Sequence, residues 1–339
     1  LMGVITGDRV NGAARWMSFM GLQFQPSELA KMAVVIAVSF ILSKRQDDEG
    51  ANPKAFKYIM IITGLVCLLI APENLSTAML LFGVVFLMMF IGRVAARKLL
   101  LLIGSLGLVG VIGVVFLLAI PKDSDIPFLH RFDTWKSRIT NFTEKEEVPA
   151  AKFDIDKDAQ IAHARIAIAT SNFVGKAPGN SIQRDFLSQA FSDFIFAIII
   201  EELGLVGGAF VVCLYIWLLV RAGRIAQKCE RTFPAFLVMG IALMLVSQAI
   251  LNMMVAVGLF PVTGQPLPLI SKGGTSTLIN CAYIGMILSV SRYTAYLEEQ
   301  KERDAQLQMQ IAAETTEAQR VAEPTAQVLN SDAEFEKEK

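Results

Sequence analysis

Seven stretches of this chain are apolar for long enough to cross a lipid bilayer, and no other feature narrows its possible folds as far. They lie at roughly 27–43, 57–72, 74–92, 99–120, 193–220, 233–258 and 277–296, and a helix needs about 20 apolar residues to span the hydrocarbon core. In lipid every backbone N–H and C=O must find its partner inside the protein, which leaves helices or closed barrels. Blocks of this length predict an all-α polytopic membrane protein, a transmembrane helical bundle of about seven spans. Composition agrees, with 54% hydrophobic and 18% charged residues, where soluble domains carry about 25% charged. The 31 basic and 31 acidic residues cancel, so nothing holds the chain to nucleic acid by bulk charge, and no nucleic-acid partner is expected.

Cys67, Cys213 and Cys281 lie inside apolar blocks and Cys229 in a basic stretch, with no CxxC pair; they read as packing residues. His130 and His163 are too widely separated to suggest a zinc site. Gly104, Gly107, Gly110 and Gly113 recur at a spacing that lets membrane helices approach closely, and a tight helix contact is expected there.

Orientation follows from the basic residues in short connections. Lys44, Arg45, Lys54 and Lys57, then Arg93, Arg97 and Lys98, then Arg221, Arg224, Lys228 and Arg231 share one side. The other side holds Arg9 and Arg15, nothing in the 71–74 turn, and Lys272. The basic side is expected in the cytoplasm, together with the C-terminus. The chain then divides into an extracytoplasmic start (1–26), four transmembrane helices (27–120) and a large extracytoplasmic loop (121–192). Three more helices follow (193–296), interrupted by a re-entrant segment (259–276). The cytoplasmic tail (297–339), rich in Glu, Gln, Ala and Lys, is expected to extend the last helix and then be largely disordered. Within the large loop, the apolar run Ile161–Ile168 suits a helix lying on the membrane surface.

Ionisable residues inside or at the ends of membrane helices are costly and therefore mark function. Glu28 and Lys31, one turn apart in QPSELAK, fit a local ion pair at a helix start formed by Pro26 and Ser27. They fit equally a lysine that faces a cavity and meets an anionic ligand. Glu73, in the tight turn APEN, either marks the interface or belongs to the site. The segment GLFPVTGQPLPLISKGGTS has three prolines and four glycines and cannot form a regular helix. Such backbone at membrane depth must be buried in protein or line a cavity, the other reading being a plain loop. Asp193 stands at the threshold of an apolar run, either as a helix N-cap or, in a partly dry cavity, as a general base. Glu201 and Glu202 follow two turns later and are expected to lie deeper, at least one turned inward toward a partner or a proton.

Taken in order, four motifs resemble the signatures of the SEDS family, the FtsW and RodA glycosyltransferases of bacterial cell-wall synthesis. They are GDRVNGAARWMSF with QPSELAK, then APENLSTA, then GNS with SDFIFAIIIEELGLVG, then GLFPVTGQPLPLISKGGTS. The likeness runs from Gly7 to about Tyr296, and GNS is more like the septal enzyme FtsW than the elongation enzyme RodA. The resemblance implies a fold of ten spans, so this chain is expected to be an N-terminally truncated member without the first three.

It also implies a chemistry: lipid II, an undecaprenyl-pyrophosphate-linked disaccharide peptide, is polymerised at the outer face of the bacterial cytoplasmic membrane, at the division septum. The 4-hydroxyl of an acceptor GlcNAc attacks C1 of a donor MurNAc. Asp193 matches the family's essential aspartate, assigned as the base, and Arg15, Glu28, Lys31 and Glu73 match positions around a central cavity, expected to bind substrate. The implied partners are a class B penicillin-binding protein transpeptidase and other divisome proteins. No cofactor is required by the motifs, and a divalent cation is left open.

The departures from the family pattern carry information. Pro72-Glu73-Asn74-Leu75-Ser76-Thr77 keeps a carboxylate but loses the usual glycine, and Leu187-Ser188-Gln189 lacks the usual glutamate, so a two-carboxylate mechanism using that stretch is not expected. Lys272 stands where a tyrosine is common and is either a phosphate contact or a solvated charge. A lipid II flippase and a divisome scaffold are the alternatives from other classes. A transporter needs access from both faces, whereas the ionisable residues here gather at the outer ends, which favours the polymerase.

Overall fold

Helices form where the apolar blocks lie, and turn chemistry sets their ends. The computed structural model describes residues 17–19, 22–47, 50–119, 158–187 and 190–335. Its helices are α1 (Pro26–Lys44), α2 (Pro53–Ile70), α3 (Leu75–Ile91), α4 (Ala96–Ala119), α5 (Asp158–Ala169), α6 (Ile195–Lys228), α7 (Thr232–Ala256) and α8 (Gly274–Phe335). Two short antiparallel hairpins accompany them, β1 (Met17–Phe19) with β2 (Leu22–Phe24) and β3 (Gln46–Asp47) with β4 (Gly50–Ala51). Six helices are long and apolar enough to cross a membrane, and α3 is a shorter apolar helix of 17 residues. The protein is a polytopic helical membrane protein.

Pro26 opens α1 with Glu28 in its first turn, where a carboxylate meets the positive end of the helix dipole. Asn52 accepts a hydrogen bond from Lys54 N (3.0 Å) before Pro53 begins α2, and Asn74 accepts one from Thr77 N (3.2 Å) at the start of α3. Gly50 has φ +132° and passes so close to Arg93 that a Cβ would stand 2.7 Å from its carbonyl oxygen, which locks the α1–α2 hairpin onto the α3–α4 turn.

The division into compact units falls between Leu1–Ile287 and Leu288–Lys339. In the first unit α1, α3 and α7 form the centre, burying Val34, Val35, Val38 and Leu42, then Leu81, Val84, Val85, Met88 and Met89, then Val238, Ile241, Met244 and Leu245. Lipid tails are as apolar as leucine, so close packing, not water exclusion, holds such a centre together. Gly240 shows the fit: a Cβ there would stand 2.6 Å from Met88 Cε and 2.9 Å from Val35 Cγ1. In the second unit α8 runs on to Phe335, where largely disordered chain was expected, with every side chain from Glu298 to Thr316 exposed.

Two expectations are corrected. Apart from the backbone of α4 itself, no described atom lies within 4 Å of a Cβ built on Gly104, Gly107, Gly110 or Gly113, so the glycine stripe meets no other described helix. Cys213 and Cys281 are exposed and do not pack inside the bundle.

The feature that shapes the site is a break in α6. Gly204 has φ +71° and ψ −173°, a region open in practice only to glycine. A Cβ on Gly208 would lie 2.9 Å from Ile200 Cγ1 and 3.7 Å from Phe196 Cζ. Residues eight positions apart on a straight helix stand about 12 Å apart, so the arms Ile195–Leu203 and Leu205–Lys228 fold back on each other. Phe194, Phe196 and Ile200 consequently share one cluster with Val211, Tyr215, Val246 and Ala249. The amides freed at the bend, Leu205 N and Val206 N, donate to Asn172 O and Phe173 O (3.4 Å each). The bend also corrects the expected depth of Glu201, which lies beside the vertex, among loop residues.

Gly204→Ala is expected to destabilise the protein by at least about 1–3 kcal/mol from backbone strain alone, with a clash against Phe173 O added. Gly110→Ala, with open space around it, should leave stability unchanged or slightly raised. Thermal unfolding of both purified variants in detergent checks this, and equal midpoints would contradict the bend.

Candidate active site

The segment between α7 and α8 must satisfy its backbone without helical bonds, and its prolines bring no N–H of their own. Side-chain amides from the surrounding helices do the work. Gln248 on α7 donates through Nε2 to Pro266 O (3.0 Å), and Asn252, one turn on, donates through Nδ2 to Gln265 O (2.8 Å). Gln265 in turn donates to Thr77 Oγ1 on α3 (2.7 Å), and Tyr215 on α6 donates its hydroxyl proton to Pro268 O. Reaching Tyr215, Thr77 and Gln248 at once, the segment lies inside the bundle.

The same segment is tied to the turn before α6. Asn252 Nδ2 also donates to Asp193 O (2.8 Å), Ser271 Oγ donates to Ser192 O (2.6 Å), and Lys272 N donates to Phe191 O (2.8 Å). Asp193 is half-buried and its Oδ1 accepts from Ser192 Oγ (3.0 Å). The N-cap position of α6 belongs to Phe194, one residue past Asp193. Lys272 has an exposed side chain on a backbone that runs alongside Phe191 and Ser192. A half-buried carboxylate and an exposed ammonium thus flank the same turn, as a proton acceptor and an anion contact would.

A sealed ion pair reaches the same irregular segment through Gln248. Lys31 Nζ stands 2.7 Å from Glu28 Oε1 and donates to Gln248 Oε1 (2.9 Å), with the two charged side chains 0% and 4% exposed. The local ion pair is present, and the same ammonium also reaches α7, where it orients Gln248 and through it the Pro266 carbonyl. Glu73 is half-buried in the turn closing α2, its N–H donating to Ile70 O (3.1 Å). Arg15 lies outside the described residues.

Of the two glutamates on α6, Glu201 is fully buried and Glu202 partly so. Glu201 Oε1 accepts from Lys176 Nζ (2.6 Å) and Ile182 N (3.2 Å), and its Oε2 accepts from Ser181 Oγ (2.5 Å) and Gln183 N (3.3 Å). The GNS motif therefore supplies, through Ser181, a partner for the EELG motif. His163 on α5 stacks on Phe186 at 5.2 Å and shares a hydrogen bond of 2.6 Å with Gln183.

Sequence reasoning missed Gln248, Asn252, Gln265, Thr77, Ser271 and Lys176. For the first two a signal existed, because polar residues four apart in an otherwise apolar span share one face and need partners. Among the described residues no three His, Cys, Asp or Glu side chains come together.

Residues 1–296 match the family of cell cycle proteins that takes in FtsW, RodA and SpoVE. A relative from Trichlorobacter lovleyi, named "Probable peptidoglycan glycosyltransferase FtsW", is 33% identical over 287 residues, 84% of this chain and 70% of its own. Its namesake from Geobacter metallireducens is 31% identical over 291 residues, covering 84% and 71%. A solved structure described as "Structural coordination of polymerization and crosslinking by a peptidoglycan synthase complex" superposes with a TM-score of 0.64 at 27% identity, over 86% of this chain and 76% of that one. The rod shape determining protein RodA of Thermus thermophilus does so with a TM-score of 0.55 at 25% identity, over 86% and 73%. Shared along most of its length with these proteins in both sequence and fold, the chain belongs to the FtsW/RodA/SpoVE family of cell cycle proteins.

Proposed function

We propose that the chain is a peptidoglycan glycosyltransferase that polymerises lipid II into glycan strands, in septal wall synthesis during cell division. The Asp193 end of the bundle faces outward across the bacterial cytoplasmic membrane and the basic end faces the cytoplasm, with the C-terminus on the cytoplasmic side. Supporting the activity are the relatives named peptidoglycan glycosyltransferase FtsW. The observation that carries the site is the half-buried Asp193, its backbone pinned by Asn252 between α6 and the irregular segment.

In this reading the Asp193 carboxylate accepts the proton of the acceptor 4-hydroxyl as that oxygen bonds to C1 of the donor. The bond from C1 to the pyrophosphate oxygen breaks, and undecaprenyl pyrophosphate leaves with the electron pair. Lys272 meets the charge growing on the leaving pyrophosphate. Glu73 belongs to the rim of the substrate space, Arg15 is the further substrate-binding residue that the family motif implies, and Glu28 with Lys31 supports the irregular segment through Gln248. Glycan made this way is uncrosslinked, so a class B penicillin-binding protein transpeptidase is the expected partner within the divisome. The neighbouring structure that coordinates polymerization with crosslinking supports that pairing.

Asp193→Asn keeps size and hydrogen bonding but cannot accept a proton, so turnover should fall by about 10²–10⁴-fold with fold and insertion intact. Polymerisation of labelled lipid II by the purified protein with its transpeptidase checks this, and near-normal turnover by the folded variant removes Asp193 from the mechanism. Lys272→Glu should weaken donor use several-fold more than Lys272→Tyr, since one reverses the charge facing the pyrophosphate while the other supplies the residue common at that position. Equal activity of the two in the same assay would make Lys272 a solvated charge only.

A further inference from the structure

We propose that Glu201 is a positioning residue for the glycosyl-transfer step: by pinning the Lys176–Gln183 loop over the Gly204 bend, it sets the angle of the short arm of α6 and so the place of the Asp193 carboxylate. The inference rests on Asp193 being the base.

Glu201 and Asp193 occupy opposite ends of the arm Ile195–Leu203. At the vertex, four hydrogen bonds join the Glu201 carboxylate to Lys176, Ser181, Ile182 and Gln183, and a fifth runs from Lys176 N to Glu201 O (3.0 Å). Gly175 and Gly204 pass there backbone to backbone, leaving no room for a Cβ, which would stand 2.4 Å from Glu202 O in one case and 2.2 Å from Phe173 O in the other. Ser181 Oγ also accepts from Arg184 N (3.1 Å), which starts the short 3-10 turn Gln183–Phe186. From there the chain returns through buried Leu187 and Ala190 to Asp193. The loop, the vertex and the base are thus one closed circuit, fastened at one end by Glu201 and at the other by Asn252, Ser271 and Lys272.

The lever is long relative to the tolerance of the chemistry. The arm Ile195–Leu203 is nine residues of helix, about 14 Å long, so a swing of about 4° at the vertex moves its tip, beside Asp193, by about 1 Å. A displacement of that size can cost about 10²-fold in rate while leaving substrate binding untouched. All four hydrogen bonds to this buried carboxylate come from the single loop that leads to the base.

The test is steady-state lipid II polymerisation by the protein with its transpeptidase, comparing Glu201→Gln, Lys176→Met and Lys176→Arg, with Asp193→Asn alongside. Glu201→Gln and Lys176→Met should lower kcat by about tenfold or more with the KM for lipid II within about twofold, and Lys176→Arg should restore most of kcat. If Glu201→Gln does not fold, Lys176→Met decides, since that side chain is 29% exposed and lies in the loop. Unchanged kcat per folded molecule, with only a lowered melting temperature, would overturn the inference and reduce Glu201 to a stability residue. A raised KM with kcat intact would overturn it too, making the loop a binding surface. Loss of turnover in Asp193→Asn with wild-type kcat in the Glu201 and Lys176 variants would sink this inference alone. Retained turnover in Asp193→Asn would sink the reading on which it rests.

Discussion

One side-chain amide joins the two halves of the site. Asn252 spends both hydrogens of Nδ2 on backbone carbonyls, Gln265 O in the irregular segment and Asp193 O in the turn before α6. Inside a bilayer an unpartnered carbonyl is expensive, so these two bonds are what allow both non-helical stretches to exist where they do, and they bring the two together in doing so. Ser271 and Lys272 repeat the link one and two residues upstream of Asp193. The candidate base and the candidate phosphate contact are thus held on neighbouring segments by hydrogen bonds to backbone.

Electrostatics divide between two lysines with different surroundings. Lys31 is sealed against Glu28 and Gln248, an arrangement in which removing one partner would strand a buried charge. Its strength goes into rigidity, passed through Gln248 to Pro266. Lys272 keeps its side chain in the open, where desolvation costs little and an arriving pyrophosphate can compete for it. In the proposed function, the buried pair would fix the wall and the exposed cation would be the one left accessible to a charged headgroup.

Much of this was legible in the sequence because membranes impose lengths. The apolar blocks mark the seven long apolar helices among the described residues, and the prolines of 259–276 announce irregular backbone. The errors lie at the ends: α2 begins at Pro53, where Asn52 and Pro53 form a cap and first turn that an apolarity threshold passes over. In the same way α6 runs to Lys228 through arginines that end the apolar block without ending the helix. The fold-back at Gly204 could not be read, since glycines such as Gly204, Gly207 and Gly208 in an apolar run look like helix packing. The Lys176–Glu201 contact lay beyond reach as well, because a loop lysine has no periodicity to betray its partner. The glycines of α4 misled for the opposite reason: their spacing is real, but no other described helix covers them.

The most direct test is a structure of the protein with a donor and an acceptor lipid II bound together. The account predicts the acceptor 4-hydroxyl about 2.6–3.2 Å from an Asp193 carboxylate oxygen, or one water away, with the donor pyrophosphate against Lys272 and Asn252 still bridging the two backbone segments. An acceptor hydroxyl held instead by Glu73, with Asp193 turned away from both sugars, would contradict it.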